Sequence, residues 1–192
     1  QFERQEWVNL NGQWSYTFDF VGSGLERKLY ESKGFDGKIT VPFCPESKLS
    51  GVQYKDFINH IWYQRSITMP QAWAGRNVKL NFGAVYYNSE VYIDGKLAGR
   101  HFGGSTSFAI DVTKFIADGK PHSLVVHAYS DTRTAKQPAG KQNMRYEPFE
   151  CMYTRTTGIW QTVWMEAVAP TGLKRVKYTT DIDRSAVTME LT

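Results

Sequence analysis

Trp14-Ser15-Tyr16-Thr17-Phe18-Asp19-Phe20 sets the fold class, because large rings alternate with smaller polar side chains at the two-residue period of a half-buried strand. In an extended chain successive side chains point to opposite faces, so this spacing puts all four rings on one face. Gly12 and Gly22 bracket the run. The period returns in Ile61, Tyr63, Ile67 and Met69, in Val78, Leu80 and Phe82, and in Leu124, Val126 and Ala128, each bounded by Gly, Pro, Asn or Asp. Helical periodicity is nearly absent. Val91-Tyr92-Ile93, then Asp94-Gly95, then Lys96-Leu97-Ala98 predicts a hairpin, since Asp-Gly accepts the positive φ values of a tight primed turn. Many short strands so punctuated predict an all-β fold, an antiparallel jelly-roll β-sandwich. Trp160 and Trp164, four apart on an expected strand, are predicted to share a face in the core.

Residues 130–157 break the alternation with Pro138, Gly140 and Pro148 and predict one long loop, whose Tyr146, Phe149 and Tyr153 are expected to order it. After Ala169-Pro170-Thr171-Gly172 a new alternation begins with Leu173, Val176 and Tyr178 and continues in Val187, Met189 and Leu191. The expected division is therefore a sandwich over 1–170 and the start of a second β unit over 171–192. So short a tail cannot bury a core of its own and is expected to dock or fray.

Composition narrows the partners. With 192 residues there is room for a sizeable core, and 6 Trp, 11 Tyr and 11 Phe exceed what a core alone usually asks for; core and loop packing is the first reading of them, and stacking of partly exposed rings on sugars the second. A net charge of +4 is spread among 19 acidic residues, so no nucleic-acid partner is expected. No membrane partner is expected either, for want of a run of about 18 apolar residues. The chain opens on Gln1 rather than Met and shows no charged-then-apolar signal segment, so a leader or some other leading stretch is expected to have been removed; the compartment is left open, a periplasmic or secreted one being favoured over the cytoplasm. Cys44 and Cys151 lack Cys-x-x-Cys spacing and are expected as two buried free thiols. His60, His101, His122 and His127 do not form a ligand set; the last two, five apart on one strand, point to opposite faces. No metal and no cofactor is expected.

Several motifs in order carry a resemblance: Ile61-Trp62-Tyr63-Gln64-Arg65, Phe82-Gly83-Ala84-Val85, Val91-Tyr92-Ile93-Asp94-Gly95, Gly99-Arg100-His101-Phe102-Gly103-Gly104, Phe108-Ala109-Ile110-Asp111-Val112-Thr113 and Thr157-Gly158-Ile159-Trp160-Gln161-Thr162-Val163-Trp164-Met165-Glu166. Together they resemble glycoside hydrolase family 2, the family of β-galactosidases, β-glucuronidases and β-mannosidases. The resemblance covers about residues 7–170. It implies a galactose-binding-domain-like jelly roll, then an immunoglobulin-like sandwich whose first strands this chain would contain, then a (β/α)₈ barrel with two catalytic glutamates. Without the family, Asp111 is expected to bond nearby amides and order a short turn.

A retaining glycosidase needs two carboxyl groups about 5 to 5.5 Å apart. The family's Asn-Glu acid/base pair is absent, and a barrel of about 250 residues does not fit, so no catalytic residue is assigned. Glu147 and Glu150 are better read as loop carboxylates than as a catalytic pair. The resemblance places substrate contacts after Phe-x-x-Val and just before Gly-Ile, which here means Tyr86, Tyr87 and Asn88, and Glu150, Tyr153 and Arg155. The tyrosines suit stacking on a sugar, and Asn88 and Arg155 suit bonding to hydroxyls or a carboxylate, with ordinary strand-end packing as the alternative for all four. The β-galactosidase branch carries Asn and Asp where this chain has Tyr86 and Met152. The expectation is a non-catalytic sugar-binding domain of a multidomain retaining exo-β-glycosidase of β-galactosidase type. It would share its carbohydrate substrate with the barrel, pack on that barrel and on the immunoglobulin-like domain, and be able to join a homo-oligomer. A β-glucuronidase or β-mannosidase parent, and an autonomous carbohydrate-binding module, are the alternatives.

Overall fold

The computed structural model describes residues 4–134, 136–173 and 175–192. Among these the strands are β1 (Trp7–Asn9), β2 (Gly12–Phe18), β3 (Gly37–Val41), β4 (His60–Ile67), β5 (Asn77–Phe82), β6 (Val85–Tyr86), β7 (Asn88–Ile93), β8 (Lys96–Phe102), β9 (Phe108–Asp111), β10 (His122–Tyr129), β11 (Gly158–Ile159), β12 (Val163–Val168), β13 (Val176–Asp181) and β14 (Ala186–Leu191), with one turn of α-helix, α1 (Thr113–Ile116), and short 3-10 turns at Leu29–Glu31, Lys48–Ser50 and Gln71–Trp73. One sheet runs β3-β2-β4-β10-β7-β8 and a second runs β1-β12-β5-β9. Paired strands in both are antiparallel.

The two sheets face each other across one core. Trp14, Ile61, Tyr63, Leu124 and Val126 come from the first sheet, and Val78, Leu80, Phe82, Ile110 and Met165 from the second. All of these but Ile110 and Met165 are residues that the two-residue period selects, and the architecture is the expected jelly-roll sandwich. Burial of each such side chain contributes about 1.5 to 3 kcal/mol against conformational entropy. The β7–β8 hairpin turns on Asp94 (φ 48°) and Gly95 (φ 76°). The Asp94 carboxylate accepts from the Ser123 N–H at 2.8 Å and lies 2.6 Å from His122 Nδ1, tying the turn to β10. Asp111 accepts from the Thr113 N–H at 3.1 Å and hydroxyl at 2.6 Å, as its position before Val112-Thr113 suggests.

Two expectations need correction, and one further ring is buried where no expectation had been set. Phe20 lies past the end of β2 and is exposed, because the chain leaves the sheet after Phe18. Trp160 and Trp164 do not share a strand. The chain bends at Gln161-Thr162 between β11 and β12, which resets the phase; Trp164 then points outward between core residues Val163 and Met165, and Trp160 Nε1 donates to the Gly104 carbonyl at 2.8 Å. Trp62 is on the outer face of β4 yet wholly buried. Leu29, Tyr30 and Phe35 fold over it, with Tyr92 and Val125, into a second small core.

The tail forms the separate hairpin β13–β14. Its register sets Val176 opposite Leu191, Tyr178 opposite Met189 and Thr180 opposite Val187. One face of the ribbon is thus largely apolar, and it is open to solvent, with Tyr178 64% and Leu191 61% exposed.

Candidate functional site

Tyr86 ends β6, which pairs with β11 so that Tyr86 faces Gly158 and Val85 faces Ile159. Its ring lies against Gly104, where a Cβ would come 2.1 Å from Tyr86 Cδ2. Its hydroxyl donates to the Pro138 carbonyl at 2.7 Å, and burial pushes its pKa up. Tyr87 is buried as well. Its ring meets Phe102 edge-on at 4.9 Å and Tyr86 at 5.4 Å. Asn88 opens β7 on the outer face of the large sheet, between Tyr129 and Phe102 in the register.

The long loop is held from below by polar groups. Asn143, Arg155 and Thr157 are 1%, 3% and 3% exposed, whereas Tyr146 and Tyr153 are 52% and 60% exposed. The expected ordering by loop aromatics is therefore corrected: buried polar atoms must find partners, and satisfying them fixes the backbone. Tyr153 donates its N–H to Lys141 at 2.8 Å and accepts from Asn143 at 2.9 Å, while Gln142 Oε1 accepts from the Thr156 N–H at 2.8 Å. Phe149 and Met152 exchange backbone bonds of 3.2 and 2.9 Å, closing a turn with Glu150 (φ 50°) and Cys151 at its tip.

Arg155 points inward. Nη1 donates to the carbonyls of Asn143 (3.1 Å) and Arg145 (2.6 Å), Nη2 donates to that of Lys55, and the guanidinium lies 4.1 Å from the Phe57 ring centroid. Tyr86 is thus connected to the arm of residues 150–155 through Gln142, which hydrogen-bonds the Tyr86 side chain and bridges to Tyr153, and to the strand after the arm through Gly158. Glu150 and Tyr153 face solvent there, Tyr86, Tyr87 and Arg155 lie beneath, and Asn88 faces another surface. Glu147 and Glu150 are exposed and make no side-chain hydrogen bond among the described residues, so they lack the apolar surroundings a general acid needs.

A family model described as "Glycosyl hydrolases family 2, sugar binding domain" matches residues 7–165. The chain belongs to glycosyl hydrolase family 2. Among curated relatives of this family, a β-glucuronidase of Felis catus is 29% identical over 175 residues, covering 77% of this chain and 26% of that protein. A β-galactosidase of Thermoanaerobacter pseudethanolicus is 27% identical over 178 residues, covering 91% of this chain and 22% of the relative. The crystal structure of Ruminococcus gnavus β-glucuronidase in complex with uronic isofagomine matches the whole chain with a TM-score of 0.77 at 17% identity and 34% coverage of that protein. The chain spans about a quarter to a third of the length of these relatives.

One part of this family 2 domain gave no sequence signal. Glu46 is buried beneath the loop and accepts from the Thr157 N–H at 3.2 Å and hydroxyl at 2.5 Å. Burial pushes its carboxyl pKa up, and the Thr157 bonds only partly oppose that. The two residues are 111 apart in sequence, and no periodicity links such a pair. Beside Glu46, burial and its carboxylate together push the Cys44 thiol up to about 12. Cys151 is exposed at its turn rather than buried, because the turn tip projects from the loop. Since the thiolate is the nucleophile, iodoacetamide at pH 8 is expected to alkylate Cys151 in the native chain and spare Cys44, read by peptide mass spectrometry. Cys44 is itself half-buried rather than fully buried as expected, and equal labelling of both would contradict its raised pKa.

Proposed function

We propose that this family 2 sugar-binding domain serves as the non-catalytic front part of a multidomain retaining exo-β-glycosidase. The observation that carries this reading is the long loop, which sits on a buried polar base yet presents Met144, Tyr146, Phe149 and Tyr153 to solvent. A rigid exposed apolar patch marks a surface meant for a partner, here the catalytic barrel and the sugar in its mouth. Tyr153 stacks on the substrate and Glu150 accepts from a hydroxyl. Residues 171–192 open a second domain, because the apolar face of the β13–β14 ribbon needs a facing sheet.

For the sugar, the names of most relatives support a β-glucuronidase, in place of the β-galactosidase type expected from sequence; the Thermoanaerobacter relative keeps a β-galactosidase as the second reading. The full-length enzyme is expected to release nitrophenol faster from the β-glucuronide than from the β-galactoside or β-mannoside, and the 192-residue chain from none. Tyr153→Ala in the full-length enzyme is expected to lower kcat/KM about tenfold with an unchanged melting temperature. A preference for the galactoside would reverse the choice of sugar. An active isolated chain would end the non-catalytic reading.

A further inference from the structure

The outer face of the six-stranded sheet holds a cleft of about 510 Å³, within the size range of small-ligand sites. Register builds it. Tyr129 of β10 sits between His60 of β4 and Asn88 of β7, and Asn88 faces Phe102 of β8; in the next row His127 faces Glu90, and Glu90 faces Arg100. Leu25, from the segment that covers Trp62, closes one side.

The polar members are fixed before any ligand arrives. Glu90 accepts from the Tyr92 hydroxyl and from Arg100 Nε, both at 2.8 Å, and lies 3.3 Å from His127 Nδ1. His127 is stacked on Trp62 at 4.1 Å and its Nε2 is 3.0 Å from His60 Nδ1. The platform is fixed too: Phe102 is 70% exposed, but the Tyr87 ring abuts it edge-on at 4.9 Å. The Asn88 carboxamide and the Arg100 Nη groups have no hydrogen-bond partners among the described residues, so donors and an acceptor remain free at the rim.

Charge selects the ligand class. Arg100 pairs with Glu90, and Arg27 pairs with Asp19 at 3.1 Å. Burial lowers the pKa of both His60 and His127, which keeps them uncharged near neutral pH. The cleft therefore offers an anion no unpaired cation. A pyranose has one apolar C–H face for an aromatic ring and a rim of hydroxyls for planar amide, carboxylate and guanidinium groups.

We propose that this cleft binds a neutral pyranose, its apolar face on Phe102 and its hydroxyls bonded by Asn88, Glu90 and Arg100. The site does not depend on which sugar the parent enzyme hydrolyses. The test uses the 192-residue chain, whose sandwich closes its own core, so its outcome is independent of the enzyme assays above. Amide chemical shifts are followed during titration with methyl β-glucoside, β-galactoside, β-mannoside and β-glucuronide. At least one neutral glycoside is expected to bind at millimolar strength, more tightly than the glucuronide, with shifts clustered on Asn88, Glu90, Phe102 and Tyr129. Phe102→Ala and Asn88→Ala should each weaken binding roughly tenfold without altering the melting temperature; Phe102 is exposed enough for its removal to be tolerated. The proposal is overturned by absence of saturable shifts, by shifts centred on residues 150–155 instead, by preference for the glucuronide, or by unchanged affinity in Phe102→Ala.

Discussion

Gly158→Ala is expected to destabilise the domain by about 3 to 5 kcal/mol, combining left-handed backbone strain with overpacking. Gly158 has φ +68°, and a Cβ built there comes 2.1 Å from Tyr63 Oη and 2.9 Å from Cζ. Tyr63 has no room to retreat. It is fully buried at the centre of β4, and its hydroxyl oxygen accepts from the Ile159 N–H at 3.3 Å, the residue next to the substitution. For a chain of this size that cost corresponds to a fall of roughly 6 to 20 °C in melting temperature. Gly51→Ala provides the comparison, with φ +80° but nothing within 4 Å of its Cβ. It carries the backbone term alone, about 1 to 2 kcal/mol. Urea unfolding of both variants separates the terms; equal losses would mean that the Tyr63 contact relaxes freely.

The same pair of residues shows how far the sequence can be read. Tyr63 belongs to a two-residue alternation that marks it as inward, and Asp94-Gly95 names its own turn, because strand phase and turn geometry are local properties of the backbone. Gly158 was legible only as part of a motif; that it leaves room for the Tyr63 hydroxyl depends on a contact between residues 95 apart in sequence. Trp62 fails for a related reason. Alternation puts it on the outer face correctly, but cannot tell that residues 19–36 fold over that face. At the candidate edge, Tyr86 and the loop arm were legible as neighbours through the family resemblance. Which of them face solvent was not, since the inward turn of Arg155 is set by carbonyls as distant in sequence as Lys55.

Arg155→Met is expected to cost about 3 kcal/mol, because it preserves much of the side-chain volume while removing every donor. Three backbone carbonyls, those of Asn143, Arg145 and Lys55, take their hydrogen bonds from the two Nη groups. The guanidinium also lies against the Phe57 ring, 4.1 Å from its centroid. Burial lowers the Arg155 pKa, opposed by the nearby charge of Glu46; the guanidinium stays charged, and the cage of carbonyls at its two Nη groups stands in for the water it gives up there. Methionine leaves that cage empty. Each buried carbonyl without a donor costs on the order of 1 kcal/mol, and some regain water as the loop loosens, which bounds the sum. Arg155→Lys should recover little, since one ammonium cannot span a site built for a planar fork. Amide hydrogen exchange is expected to rise across residues 142–157 in both variants while the core strands β4 and β10 remain protected. A melting temperature unchanged in Arg155→Met, together with a selective loss of kcat/KM in the full-length enzyme, would instead assign the guanidinium to the substrate. That is the role its residue type suggests in the sequence, and one that requires it to turn out of the cage it occupies.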